Sequence, residues 1–203
     1  LINRGSITGQ NYVGGVAGEN IGTIEYVKND VNLYVKDDTK TAQYFGGVAG
    51  INGRVDDETT TDVNEAVTGT ITSATNEGDV VAKNAQYVGG IVGWNTVNGI
   101  LDGMGNSNTG RVEGATYVGG VAGKNDADIT GDVDNIVTIE NSGVVIAHNG
   151  GAGGIFGENT GDITYAKMSN SGIVSGTNYS GSDDVTNGTG GIIGVNSGDI
   201  TYS

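Results

Sequence analysis

One phrase of about nine residues recurs six times along this chain, and repetition on that scale constrains the fold more than any other feature. It reads Tyr12-Val-Gly-Gly-Val-Ala-Gly-Glu-Asn20, Tyr44-Phe-Gly-Gly-Val-Ala-Gly-Ile-Asn52, Tyr87-Val-Gly-Gly-Ile-Val-Gly-Trp-Asn95 and Tyr117-Val-Gly-Gly-Val-Ala-Gly-Lys-Asn125. Two looser copies follow, Gly151-Ala-Gly-Gly-Ile-Phe-Gly-Glu-Asn159 and Thr189-Gly-Gly-Ile-Ile-Gly-Val-Asn196. The paired glycines begin at 14, 46, 89, 119, 153 and 190, so the period varies between 30 and 43.

A second phrase, Asn-x-Gly-x-Ile/Val, flanks the first. Upstream copies end at Ile7, Val80, Val112, Val145 and Val174, and downstream copies, some degenerate, at Ile24, Val55, Ile100, Ile129, Ile163 and Ile200. Each complete unit therefore carries three apolar anchors, such as Val112, Val121 and Ile129, followed by a longer variable return. Short β-branched segments between Gly/Asn/Asp corners match one coil of a three-sided β-helix. Helical apolar spacing over ten or more positions is absent, and antiparallel hairpins would place like phrases much closer in sequence. The expectation is an all-β, right-handed parallel β-helix of about six three-sided coils over residues 1–203, a single domain and a fragment of a larger surface protein.

One coil cannot enclose its own Val and Ile, so burial must come from the coils above and below. The column Val16, Val48, Ile91, Val121, Ile155, Ile192 is always β-branched and is assigned to the interior, where each side chain contributes roughly 1.5–3 kcal/mol. Alternation along a strand then points the next column, Ala17, Ala49, Val92, Ala122, Phe156, Ile193, to the flank, under return loops or a partner. The closing asparagines, Asn20, Asn52, Asn95, Asn125, Asn159 and Asn196, are expected to stack as an amide ladder.

Composition narrows the rest. Thirty-nine of 203 residues are glycine and none is proline, which suits repeated tight corners and excludes collagen. Twenty-four acidic residues against nine basic give a net charge of −15, so nucleic acid and anionic membrane surfaces would be repelled. Without cysteine there is no disulfide scaffold or thiol chemistry, and no apolar run approaches the ~20 residues that span a bilayer.

These residues resemble the GLUG motif, a glycine-bounded repeat of bacterial surface proteins found in filamentous-haemagglutinin-type adhesins and in the non-catalytic parts of immunoglobulin A proteases. The matching positions run from Gly119-Gly120-Val121-Ala122-Gly123 through Asn125 to Ile129, and the six copies tile the chain. The resemblance implies a β-helical form and a secreted, cell-wall or cell-surface setting, and it carries no catalytic residues. The fifth and sixth copies lack the leading tyrosine.

Four places in the sequence hold residue types that could carry chemistry. Asp126, Asp128, Thr130 and Asp132 follow the first half of a calcium loop, but Val137 stands where its bidentate glutamate belongs. No other cofactor is expected. Trp94 occupies a position filled elsewhere by Glu19, Ile51, Lys124, Glu158 and Val195, which marks it as outward-facing, either packed against a neighbouring return loop or exposed as a candidate contact residue for sugar or protein. His148, the only histidine, is read as exposed and incidental. The carboxylates of Asp183-Asp184 and Asp56-Asp57-Glu58 lie in variable returns, and the basic residues are scattered without a cluster. The expected function is accordingly a non-catalytic extracellular repeat segment serving adhesion or acting as a stalk. Its partners would be a host or matrix protein or glycan and the flanking domains of its own chain. The alternative is a polysaccharide-active β-helix enzyme, a lyase or glycoside hydrolase.

Overall fold

The computed structural model describes residues 2–3, 5–55, 66–177 and 188–203, and the expected parallel β-solenoid is what it contains. Like phrases lie over one another in parallel register: Ala17 on Ala49, Ala49 on Val92, Val92 on Ala122, Ala122 on Phe156 and Phe156 on Ile193. The six rungs enclose about five turns, and five steps of about 4.8 Å put the first and last rungs about 24 Å apart. Among the described residues no helix is long and apolar enough to cross a membrane.

Each coil carries four strand-bearing faces, one more than the three anchors had marked. The extra face lies in what the sequence presented as a variable return. It consists of Ile2–Asn3, Lys28–Asn29, Thr75–Asn76, Met104–Asn108, Val137–Asn141 and Ala166–Asn170. The second face starts with Ile7–Gly9, Leu33–Val35, Val80–Gly89, Val112–Gly119, Val145–Ala147 and Val174–Gly176, and so stacks the upstream anchors. The third holds Ala17–Asn20, Ala49–Asn52, Val92–Asn95, Ala122–Asn125, Phe156–Asn159 and Ile193–Asn196. The fourth divides into two short sheets, one of Thr23–Glu25, Gly69–Thr72 and Gly99–Asp102, the other of Ile129–Thr130, Ile163–Thr164 and Ile200–Thr201.

On the fourth face two expected anchors are displaced. Ile71 pairs with both Ile24 and Leu101, so Leu101 fills the core position while Ile100 points outward and is 42% exposed. The period of two along a strand means that a one-residue slip changes which side a residue faces. Ile71, not Val55, supplies the second coil's anchor.

The column Ala17, Ala49, Val92, Ala122, Phe156, Ile193 belongs to the interior, which corrects its assignment to the flank. Ala49, Val92, Ala122 and Phe156 are fully buried in one cluster with Val48, Ile91, Val121 and Ile155. Alternation fails here because the two columns straddle a corner. The amides of Val48 and Ala49 both donate to the carbonyl of Ile91, at 2.9 and 3.0 Å, and those of Ile91 and Val92 both donate to Val121. Two successive N–H groups aimed at one acceptor bend the chain between them, so both side chains turn inward.

A second apolar cluster, containing Leu33, Phe45, Val80, Val88, Val112, Val118 and Val145, fills the lobe behind the second face. Between the lobes the coil is pinched. Asn29 follows Val27 of one cluster and precedes Val31 of the other, and its side chain lies against Gly15; Asn76 meets Gly47, Asn108 meets Gly90, Asn141 meets Gly120 and Asn170 meets Gly154 in the same way. The second glycine of each pair is thus where backbone approaches an amide from the opposite wall.

Candidate functional site

Asn20, Asn52, Asn95, Asn125, Asn159 and Asn196 stand in a single column, each donating from Nδ2 to the next Oδ1 at 2.7, 2.8, 2.7, 2.7 and 2.9 Å. A parallel ladder runs Asn29, Asn76, Asn108, Asn141, Asn170 at 2.7–2.8 Å, and sequence reasoning did not propose it. Its signal was the first residue of the Asn-x-Gly-x-Ile/Val phrase: the same amide that bonds its neighbour also donates to the carbonyl two residues on, as Asn108 does to Gly110 at 2.8 Å. Both ladders lie inside and satisfy otherwise buried corner carbonyls. They build the scaffold of the coils.

The most unusual feature of the outer surface is a column of tyrosines. Tyr12, Tyr44, Tyr87 and Tyr117 have left-handed backbones with φ of 55°, 62°, 59° and 53°. Neighbouring strands pair on either side of the residue, Gln86 with Thr116 and Val88 with Val118, and the tyrosine between is thrown out of the ladder. A non-glycine residue held there costs on the order of 1 kcal/mol or more. The rings recover part of this by stacking at centroid distances of 5.3, 5.4 and 5.1 Å. The fifth and sixth coils carry Gly151 and Gly188 at this place.

Trp94 joins the column beside Tyr44, with ring centroids 5.4 Å apart. Its Nε1–H donates to Asp126 Oδ2 at 2.8 Å, and Lys124 Nζ sits 5.7 Å from the ring centre and 3.1 Å from the same carboxylate. Trp94 is half-buried, which corrects the exposed alternative: register places it between Ile51 and Lys124, with a charged neighbour drawn over the indole. A cleft of about 390 Å³ opens alongside, lined by Tyr12, Glu19, Ile51, Arg54, Trp94 and Thr96. Arg54 grips Glu19 through two hydrogen bonds of 2.9 and 2.8 Å, which hold that carboxyl below its ordinary range. Burial pushes the Tyr87 phenol up to about 12, reinforced by Glu158, and burial also raises Glu158. The strip therefore offers neutral phenols, aromatic surface and hydrogen-bonding carboxylates side by side, the mixture that suits a ligand with both apolar faces and hydroxyls.

Asp126, Asp128, Thr130 and Asp132 do not converge, which corrects the calcium reading. Asp126 is committed to Trp94, Lys124 and the hydroxyl of Thr160. Asp128 accepts the amide of Asp162 at 2.9 Å, as Asp162 accepts that of Asp199, so this aspartate is a repeated corner device. Asp132 accepts the amides of Asp134 and Asn135, both at 2.8 Å, and Thr130 pairs with Thr164 in a strand. Among the described residues no group of three or more His, Cys, Asp or Glu is placed to hold a metal ion. Asp183, Asp184, Asp56, Asp57 and Glu58 lie outside the described residues.

His148 is not incidental. Its Nε2 lies 2.6 Å from Oε1 of Glu113, a carboxylate only 1% exposed, which Arg111 and Lys83 also approach. Basic residues scattered in sequence do cluster, because residues one period apart become neighbours. Comparison with protein-family models, curated proteins and solved structures gives no match.

Proposed function

We propose that this chain is a non-catalytic, extracellular repeat segment of a bacterial surface protein, a rigid spacer whose outer aromatic strip engages a glycan or protein of the host or matrix. The observation that carries the reading is the tyrosine column. Four bulky residues are held in a backbone conformation that a glycine would adopt more cheaply, and such cost, met along an outer row of which Tyr12 is exposed and the other three half-buried, points to a role for the rings themselves. The placement outside the cell comes from the resemblance to GLUG-motif repeats. The rod-like stacking supports a spacer, since each coil depends only on its neighbours.

The test is binding of the isolated segment to an array of glycans and matrix proteins, repeated with Trp94→Ala and Tyr44→Ala. Binding that both substitutions weaken supports the strip as the contact surface. Binding that both leave intact removes it. A second reading, an enzyme acting on acidic polysaccharides, draws on the basic cluster around Glu113; turnover of such a polymer that Glu113→Gln abolishes would favour it.

A further inference from the structure

Lys83, Arg111 and His148 come from three successive coils and meet over one carboxylate. Val81, Glu113 and Ile146 are in register on the second face, so aliphatic side chains flank Glu113 above and below, and this accounts for its burial. Arg111 precedes it by two residues, immediately before the strand that begins at Val112, and the period of two along extended chain brings it out on the same side. Lys83 is aimed by an irregularity: pairing between the third and fourth coils is regular to Ala82–Gly114 and resumes at Gln86–Thr116, leaving extra residues that bulge. His148 leaves the fifth coil just after Ala147, with its amide bonded to Gly114 O at 3.0 Å.

The charges in this cluster do not cancel. Elsewhere among the described residues each cation that forms an ion pair meets one carboxylate, or two: Arg54 with Glu19, Lys40 with Asp37, Lys124 with Asp126, Lys28 with Asp30 and Glu77. Here a single carboxylate faces Arg111 Nη2 at 2.5 Å, Lys83 Nζ at 3.6 Å and the imidazole at 2.6 Å. Two fixed positive charges and a titratable ring against one negative charge leave a surplus, on a protein whose net charge is −15. The Arg111 contact is an ion pair that makes no aligned hydrogen bond to the buried Oε2, so the guanidinium keeps donors to spare. The three basic side chains remain 63%, 44% and 41% exposed, reachable from solvent, while Glu113 beneath them is sealed.

We infer that Lys83, Arg111 and His148 form a binding site for a single oxyanion, with Glu113 as the buried counter-charge that gathers and orients them. The ligand chemistry is a carboxylate, sulfate or phosphate group, which accepts hydrogen bonds from a guanidinium, an ammonium and an imidazole N–H together. The inference does not rest on the aromatic strip. The two do share strands: Lys83 precedes Tyr87, and Glu113 precedes Tyr117, by four residues, about 13 Å of extended chain.

The sole histidine makes the site directly observable, since its ring gives one set of NMR resonances. Titrating the full chain with sodium sulfate, sodium phosphate and glucuronate at constant ionic strength should move those resonances along a saturable curve for at least one anion. The tightest of the three identifies the source of the group. Arg111→Gln and Lys83→Gln should each weaken binding about tenfold. Glu113→Gln, which removes the internal competitor without changing shape, should tighten it severalfold. Shifts that rise linearly without saturation, or that are the same in Arg111→Gln and Lys83→Gln as in the parent, overturn the proposal. Lys83 is the most exposed member, so its variant keeps the test decisive should Arg111→Gln or Glu113→Gln fail to fold.

Discussion

Gly120 stands against the side-chain amide of Asn141: a Cβ at position 120 would lie 2.4 Å from the amide carbon and 2.1 Å from the carbonyl oxygen of Gly154. Neither neighbour can retreat, because Asn141 is tied to Asn108 and Asn170 and the carbonyl belongs to the next coil. Gly120→Val should therefore destabilise by about 3 kcal/mol or more, lowering the melting temperature by roughly 6–12 °C in a chain of this length. Gly22→Ala is the control, since a Cβ there meets nothing within 4 Å. Differential scanning calorimetry of both variants checks the pair; equal melting temperatures would contradict the pinched cross-section.

The asparagine ladder predicts a gradient along the rod. Asn125 is fully buried, donates to Asn159 and to Ala127 O, and receives the amide of Asn95. Asn125→Ala strands those partners inside and should cost about 2–4 kcal/mol. Asn196 is exposed at the end of the same column and has one amide neighbour, so Asn196→Ala should cost under about 1 kcal/mol. Urea denaturation of the two variants measures the difference, and similar losses would deny the ladder its stabilising role.

Stacking of like on like, and the column of closing asparagines, could be read from the sequence because both depend only on repetition. What escaped depended on geometry at the corners. Asn76 and Asn108 were visible as the first letters of a phrase, yet nothing local told that their amides cross the interior to meet Gly47 and Gly90. Ile100 and Leu101 are adjacent and both apolar, and only pairing with Ile71 decides between them. Lys83, Glu113 and His148 are separated by 30 and 35 residues, so their meeting becomes apparent only once the coils are superposed and the bulge before Gln86 is known.

The tyrosine column should leave a signature at high pH. Burial raises the folded-state value of Tyr87 to about 12 from an ordinary 10, so the neutral phenol is favoured by the fold. Its contribution is fully present below pH ~10 and is lost as pH climbs toward 12, because the unfolded chain ionises first while the folded chain resists. Melting temperature should fall through that window, and more gently in Tyr87→Phe. Tyrosinate absorbance of the folded protein provides the second measure: the increment gained around pH 12 should shrink in Tyr87→Phe.

The corner between the second and third faces makes the sharpest demand on the core. Because Ile91 and Val92 both send their amides to Val121 O, at 2.9 and 3.0 Å, the chain turns between them and both side chains enter the same cluster. Val92 is fully buried there, between Ala49 and Ala122 in register, so a charge at this position has no solvent and no partner. Val92→Asp should cost more than about 4 kcal/mol, or prevent folding, and Phe156→Ala should cost about 3–5 kcal/mol by leaving a cavity where the largest ring of that column sits. Glu158 lies two residues beyond Phe156 in the same strand and is only half-buried, so Glu158→Ala serves as the comparison and should stay within about 1 kcal/mol. Circular dichroism melts of the three variants decide the matter. A tolerated Val92→Asp would return this column to the flank and, with it, the apolar stripe that simple alternation along the strand implies.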